Sequence, residues 1–267
     1  MNKRRLISIF ISLAIVTYFG IYGFLQSIKK EQGNIFKGQS LPADYTYSFD
    51  TDFEEFNLRA KNGGLLNSLL FKADNSKGVI CFWKGNGGTL KNWGEIAPQF
   101  LKFNYDILIT DYRQHGKSKG NISLENFYSD AQTVYNALKS RYPEDKIVIT
   151  GYSLGGRIAA HLAADNSPRL TLLIDAASTT GDFSERFFEA MFYPLPSTNS
   201  FLFQTEDDIV KAKSPVVIIG TENPNSLSHQ LKPLLKSKDA FFEIKGATHE
   251  NILSHTETDR IMGNLLK

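Results

Sequence analysis

Short apolar runs alternate with longer amphipathic segments from about residue 78 onward. The runs are GVICFW, YDILITD, KIVITG, LTLLID, PVVIIG and AFFEIKG. Segments with a helical repeat of apolar residues, such as 124–141 and 154–165, lie between them. Short strands that are apolar throughout, separated by helices, are typical of a mostly parallel sheet covered on both faces. The pattern therefore predicts an α/β domain.

Two more strands are expected before this alternation begins. The stretch FEEFNLRAKNGGLLNSLLFKAD has apolar runs on either side of Asn62-Gly63-Gly64. Asn-Gly between apolar runs is a strong signal for a β-hairpin. We therefore expect a sheet of about eight strands with helices on both faces.

The N-terminal stretch predicts a transmembrane helix. Residues 6–28 carry no charge, and as a helix they would extend about 34 Å, enough to cross a bilayer core. A secretory signal peptide is the alternative. Such a peptide normally ends in a small-residue cleavage site, and FGIYGFLQS has no A-x-A pattern. An uncleaved anchor is the favoured interpretation.

Charge on either side of this span predicts its orientation. Lys3, Arg4 and Arg5 precede it, against Lys29 and Lys30 after it, which favours a cytoplasmic N-terminus and an extracytoplasmic domain. The predicted organisation has three parts. They are the tip and anchor at 1–30, a linker at 31–44 and the α/β domain at 45–267.

Composition narrows the possible functions. The chain is 42% hydrophobic and 22% charged, as expected of a globular domain with a core. Its net charge is +2 with no basic cluster beyond the N-terminus, so nothing indicates nucleic-acid binding. Cys81 is the single cysteine and is expected to be a small buried hydrophobic residue.

Ser153 is the first candidate for chemistry. It lies in TGYSLGGRIAAHL, between a predicted strand and a predicted helix, and Gly151 and Gly155 complete a G-x-S-x-G pattern. A sharp strand-to-helix turn holds a serine hydroxyl out above the sheet. Small residues let such a turn close. Ser153 is therefore the predicted nucleophile.

The groups that would serve Ser153 follow other strands. KGNGG at 84–88 is a glycine-rich turn, and the amides of Asn86 and Leu154 are the predicted oxyanion donors. The turn lacks the third glycine of a dinucleotide-binding loop. His249 follows the last strand and is the predicted base. His161 lies within the helix after Ser153, where a structural role is favoured.

These segments resemble the α/β-hydrolase family, and most closely its Bem-type and serine-aminopeptidase-like branch. KGNGG, DYRQHGKSKG, GYSLGGRIA, SPVVIIGTENPN and GATHENI occur in the family's order, and the resemblance covers roughly 53–266. It implies the α/β-hydrolase fold, with Ser153 as nucleophile, His249 as base, and the Asn86 and Leu154 amides as oxyanion hole. It also implies acyl chemistry on esters, thioesters or amides.

The chain departs from the family pattern at two positions. Lys84 stands where relatives usually carry histidine, in the loop that shapes the oxyanion hole. Asn223 stands where relatives carry the triad aspartate, in the form G-T-x-D. Three outcomes remain open: Glu222 supplies the acid, Asp175 supplies it from another strand end, or no carboxylate does. The sequence ranks Glu222 before Asp175.

Two classes of function follow. The first is a membrane-anchored serine hydrolase that cleaves a small acyl ester or thioester, with peptidase or acyltransferase activity less favoured. The aromatic segment 178–205 would line an apolar, lipid-accepting pocket or pack on the sheet. The second is a catalytically impaired relative that acts as a binding protein, because of Asn223. Neither requires a metal or organic cofactor, and membrane contact would be through residues 6–28.

Overall fold

The computed structural model describes residues 3–32, 36, 38–177, 191–192 and 201–267. Within them, eight strands form one sheet in the order β1-β2-β4-β3-β5-β6-β7-β8. The strands are β1 Phe53–Arg59, β2 Leu65–Phe71, β3 Val79–Trp83, β4 Asp106–Thr110, β5 Ile147–Tyr152, β6 Leu170–Ile174, β7 Val216–Thr221 and β8 Ala240–Ile244. Strand β2 is antiparallel to both its neighbours and all other pairs are parallel. The predicted sheet is confirmed.

Helices cover both faces of this sheet. Those of the α/β domain are α2 Leu90–Trp93, α3 Ala97–Leu101, α4 Leu124–Lys139, α5 Leu154–Asp165, α6 Thr205–Lys211 and α7 Thr256–Leu265, and helix α1 Lys3–Gln32 precedes the sheet. Alternate side chains of β3 enter different cores: Cys81 and Trp83 lie in one apolar cluster, Ile80 and Phe82 in the other. Since successive side chains of a strand point to opposite faces, the sheet is buried on both sides.

The predicted hairpin is present at the edge of the sheet. Strands β1 and β2 pair from Phe53↔Phe71 to Arg59↔Leu65. The turn between them holds Asn62 at φ 53° and Gly63 at φ 73°, in the left-handed region that Asn and Gly tolerate best. The Asn-Gly pair was therefore a reliable signal because the turn requires this backbone conformation.

Helix α1 has the dimensions of a membrane span. Lys3–Ser27 is the one candidate among the described residues that is long and apolar enough to cross a membrane, a test that a signal sequence also passes. Phe10 and Val16 are 70% and 68% exposed on its surface. Toward its C-terminal half, the rings of Tyr18 and Tyr22 lie 5.2 Å and 5.5 Å from that of Phe192.

The chain after α1 is fastened to the α/β domain. His115 Nε2 lies 2.7 Å from the carbonyl oxygen of Phe36, and Gly116 exchanges backbone hydrogen bonds with Gln39 and Leu41. A Cβ at Gly38 would lie 2.3 Å from the His115 ring, so only glycine fits there. The domain boundaries stay predictions, but this attachment begins at Phe36, inside the predicted linker.

Part of the aromatic segment lies outside the described residues. This concerns Phe183, Phe187, Phe188 and Tyr193. Phe203 is buried, with its ring 5.9 Å from that of Phe127 in the core above α4. At Phe203 the segment therefore packs on the domain, as one of the two alternatives predicted.

Candidate active site

Ser153 occupies a strained turn between β5 and α5. Its backbone has φ 53° and ψ −117°, a conformation that costs of order 1–3 kcal/mol in a non-glycine residue. Its amide donates to the carbonyl of Ile174 at 3.1 Å, and its own carbonyl accepts from Gly156 at 3.0 Å. The turn places the serine after the strand and directly before the first helical residue, Leu154.

Glycines allow this turn to form because three backbone segments meet there. A Cβ at Gly151 would lie 2.1 Å from the carbonyl oxygen of Gly155. A Cβ at Gly155 would lie 1.9 Å from that of Trp83. A Cβ at Gly156 would lie 2.3 Å from the Cβ of Ala176. Glycine is therefore required at these positions, because β3, β5 and the end of β6 all contact the start of α5.

His249 lies against Ser153. The loop after β8 carries it, and its Nε2 lies 3.1 Å from Ser153 Oγ. Tyr152 holds this loop: its hydroxyl donates to the His249 carbonyl at 2.5 Å, and the two rings stack 5.1 Å apart. Tyr152 is the variable residue of the G-x-S motif, so nothing in the pattern singles it out.

Asp175 lies at the other ring nitrogen. Its Oδ2 is 2.6 Å from His249 Nδ1, and the Asp175 side chain is 6% exposed. Strands β5 and β6 pair Tyr152 with Ile174, so Ser153 and Asp175 are the next residues on neighbouring strands. The carboxylate fixes the proton on Nδ1, which leaves Nε2 as an acceptor for the serine hydroxyl.

Two serines complete the surroundings of Asp175. The hydroxyls of Ser226 and Ser228 donate to Asp175 Oδ1 at 2.8 Å and 3.1 Å. Both serines follow β7, in the loop where relatives carry their acid. The sequence analysis missed them, because a serine five or seven residues past a strand end has no distinguishing pattern. They satisfy the carboxylate oxygen that faces away from His249.

These contacts shift the pKa values of Asp175 and His249 in directions that stabilise an ion pair between the two side chains. Burial alone would raise the pKa of Asp175, but the hydrogen bonds from His249, Ser226 and Ser228 outweigh it and lower that pKa. The Asp175 hydrogen bond raises the pKa of His249 above its ordinary value, against the opposing effect of burial. The carboxylate charge and that of Glu250 act in the same direction.

Of the two candidate acids, the structure places Asp175 beside the His249 ring and Glu222 elsewhere. Glu222 Oε1 accepts a hydrogen bond from the Gly246 amide at 3.0 Å and so ties the β7 loop to the β8 loop. Asn223 Oδ1 accepts from the amide of Asn225 at 3.0 Å, within its own turn. Asp175, ranked second from sequence, is the carboxylate beside the His249 ring. Its strand adjoins β5, whereas β7 lies one strand farther away.

The predicted oxyanion donors lie at the start of α5 and in the loop after β3. Leu154 is the first residue of α5, a position whose amide has no intrahelical acceptor. Asn86 belongs to the 84–88 loop. That loop follows directly on the Trp83 carbonyl, and a Cβ at Gly155 would also lie 2.7 Å from the Lys84 carbonyl. The loop and the helix terminus therefore touch backbone to backbone.

Lys84 holds this loop from inside the protein. Its side chain is fully buried, and Nζ lies 3.0 Å from the Gly88 carbonyl, 2.9 Å from His115 Nδ1 and 3.6 Å from Asp111 Oδ1. Burial lowers the pKa of Lys84 to about 8 and raises that of Asp111 to about 6. Tyr112 donates to the Lys84 carbonyl at 2.5 Å. Lys84, which stands where relatives usually carry histidine, therefore supports the loop structurally.

His161 has the structural position expected of it. Its Nδ1 lies 3.1 Å from Asp208 Oδ2, and its ring stacks on Tyr128 with centroids 3.5 Å apart. These contacts join α5 to α4 and α6. No cluster of three or more metal-ligating side chains occurs in the described part of the chain.

Comparison with known sequences points to one family. Residues 78–185 match the family model described as alpha/beta hydrolase fold. Protein bem46 of Schizosaccharomyces pombe is 25% identical over 217 residues, which are 76% of this chain and 73% of that protein. Human alpha/beta hydrolase domain-containing protein 17B is 29% identical over 193 residues. These are 68% of this chain and 63%, less than two thirds, of that relative.

Solved structures share the fold. An esterase from Pyrococcus furiosus, Pf2001, superposes with a TM-score of 0.63 at 17% identity, covering 86% of this chain and 97% of its own. Carboxyl esterase 2 of Tuber melanosporum superposes with a TM-score of 0.60 at 16% identity, covering 86% and 90%. At these identities the similarity concerns architecture.

Proposed function

This chain belongs to the α/β-hydrolase family, and we propose that it is a serine hydrolase that cleaves an acyl ester or thioester through an acyl-enzyme on Ser153. One observation carries the proposal: the His249 ring touches Ser153 through Nε2 and Asp175 through Nδ1. Nucleophile, base and acid in contact are the arrangement that activates a serine.

The reaction follows from these contacts. The Ser153 hydroxyl attacks the substrate carbonyl carbon while its proton passes to His249 Nε2. The carbonyl oxygen becomes an oxyanion, for which the amides of Asn86 and Leu154 are the proposed donors. When the intermediate collapses, His249 gives the proton to the leaving atom. Water then attacks the acyl-enzyme by the same route, which releases the acid and restores the serine hydroxyl.

Asp175 keeps the imidazole in the required tautomer and stabilises its charged form during attack. A buried carboxylate that also accepts two serine hydroxyls stays ionised and fixed in position. The hypothesis of an impaired, non-catalytic relative rested on Asn223. The carboxylate from β6 at the ring supports the catalytic alternative instead.

We also propose that α1 anchors the enzyme in a membrane with its N-terminus cytoplasmic and the hydrolase domain outside. From Gln32 to Phe36, where the chain is attached to the domain, four residue steps span at most about 14 Å. The active site would then remain near the bilayer surface. A small acyl substrate at or in the membrane is the expected class.

Active-site labelling tests the proposal directly. The full chain in detergent micelles is treated with a fluorophosphonate probe, beside Ser153→Ala and the matched exposed-serine control Ser140→Ala. We expect covalent labelling of the wild type and of Ser140→Ala, and none of Ser153→Ala. Absence of labelling of folded wild type between pH 6 and 9 would rule out an activated serine.

A further inference from the structure

A cavity of about 290 Å³ lies beside the proposed catalytic residues, and it has not entered the mechanism so far. Neither Ser153 nor His249 lines it, but Tyr152, which precedes the serine, and Glu250, which follows the histidine, both do. We call it the Trp93 pocket, after the ring on α2 that forms one wall.

The walls of the Trp93 pocket are mainly apolar. Trp93 and Ile96 come from the α2–α3 region, Tyr152 from the end of β5 and Leu253 from the loop after His249. The Trp93 and Tyr152 rings lie 5.6 Å apart. The Trp93 indole donates to the Gly87 carbonyl at 2.8 Å, so this wall is also fastened to the loop of the proposed oxyanion hole.

Tyr152 connects the pocket to the triad. Its ring contacts Trp93 in the pocket wall and also stacks on His249. His249 must protonate the leaving atom, which therefore lies within hydrogen-bond reach of Nε2. A group attached to that atom extends along the His249 loop, where Glu250 and Leu253 border the pocket.

We propose that the Trp93 pocket binds the leaving group of the substrate, an inference that rests on the proposed hydrolase function. A cavity of about 290 Å³ lies at the small end of ligand pockets and suits a compact group such as a single ring. The leaving group is therefore a compact alcohol, phenol or thiol with an apolar body.

Gln99 and Glu250 define the polar character of this group. Gln99 borders the pocket, and its buried Oε1 has no hydrogen-bond partner among the described residues. A ligand hydroxyl, which both donates and accepts, is the kind of group that would satisfy this amide if the side chain turned toward the pocket. Glu250 places a carboxylate at the same pocket and disfavours an anionic leaving group. A neutral or cationic leaving group with one hydrogen-bonding function fits both.

Leaving-group discrimination tests this assignment. The full chain is assayed for kcat/KM with two isosteric butanoate esters, of 4-(hydroxymethyl)phenol and of 4-ethylphenol, together with methyl butanoate. We expect the hydroxymethyl ester to be preferred over the ethyl ester about fivefold, the effect of one hydrogen bond. Gln99→Met should abolish this preference because methionine keeps the length but offers no comparable partner.

A second variant reduces the volume of the Trp93 pocket. Ile96→Trp is expected to lower the ratio of aryl to methyl ester kcat/KM by about tenfold. Val210→Phe, which adds an aromatic ring to an exposed position on α6, should leave that ratio unchanged. The ester of 4-(carboxymethyl)phenol should be the poorest aryl substrate, and Glu250→Gln should reduce its disadvantage.

Fluorophosphonate labelling separates failure of the pocket from failure of the enzyme. If Ser153 labels in wild type and in each variant but the aryl ratios do not respond, the pocket assignment is wrong and the hydrolase proposal stands. The assignment also fails if Ile96→Trp discriminates between butanoate and longer acyl chains instead of between leaving groups. If wild type does not label, the hydrolase proposal itself fails.

Discussion

The carboxylate that orients His249 comes from the end of β6, and the loop after β7 contributes the hydroxyls of Ser226 and Ser228 to it. Relatives place the acid after β7, but here that loop binds its own backbone through Asn223 and the β8 loop through Glu222. At the scale of single residues, a carboxylate contacts His249 Nδ1, as the family pattern leads one to expect. This carboxylate follows β6, however, and not β7.

The exchange of roles between Asp175 and Glu222 is directly testable. Asp175→Asn is expected to lower kcat for a butanoate ester by about 10⁴-fold, because the amide no longer stabilises the imidazolium or the tautomer. Glu222→Gln, which makes the same carboxylate-to-amide change, should alter kcat by no more than about twofold. The reverse order of effects would assign the acid to β7.

The raised pKa of His249 should set the acid limit of the proposed activity. The base works only when neutral, so kcat/KM should fall as pH drops through the His249 pKa. Because the Asp175 hydrogen bond raises that pKa, the midpoint of the decline should lie above the ordinary value of 6.5. In Asp175→Asn the main raising contribution is gone, and the midpoint of the residual activity should move to lower pH. A midpoint unchanged by this substitution would contradict the assignment.

At the scale of elements, the site depends on how closely β3, β5 and α5 approach. The carbonyls of Trp83 and Lys84 lie where a side chain at Gly155 would be. The buried Lys84 then holds the far end of the same loop through the Gly88 carbonyl. The loop is thus fixed at both ends before any substrate binds, as preorganised oxyanion donors require.

A pair of glycine substitutions measures this contact. Gly155→Ala is expected to destabilise the fold by about 3 kcal/mol, since a Cβ 1.9 Å from a carbonyl oxygen forces the strand and helix apart. In a domain of this size that corresponds to a loss of about 6–12 °C in Tm. Gly87→Ala is the control in the neighbouring loop. No described atom lies within 4 Å of a Cβ built there, so its Tm should stay within about 3 °C of wild type.

At the scale of the whole molecule, the linker is bound to the α/β domain next to the loop that Lys84 supports. His115 touches both, through Nε2 to the Phe36 carbonyl and through Nδ1 to Lys84 Nζ. Helix α1 and the α/β domain are therefore joined by a short, attached connection. This attachment supports the proposal that the substrate lies near a membrane.

The single cysteine makes the proposed orientation measurable. Cys81 is 1% exposed and burial raises the pKa of its thiol to about 12, so it gives little background reaction with maleimides. A cysteine introduced at Lys245, an exposed residue of the domain, should react with an impermeant maleimide in intact spheroplasts. Lys3→Cys should react only after permeabilisation. The opposite pattern would place the domain in the cytoplasm.

The sequence by itself determined the sheet, the hairpin and the position of Ser153. Apolar runs fix which segments are buried strands, and the turn at Ser153 leaves no room for side chains at Gly151 and Gly155. These are local requirements, so they are visible in local patterns. His249 could be placed for a similar reason, because the carboxyl ends of parallel strands meet at one edge of the sheet.

Only the tertiary structure decided which carboxylate approaches the His249 ring and what Lys84 does. Glu222 and Asp175 both follow strands, and the choice depends on the pairing of β6 with β5 and on the course of the β7 loop. Lys84 contacts His115 and Asp111, residues distant in the chain that share one buried site. Such choices depend on distances between segments, which a sequence pattern does not contain.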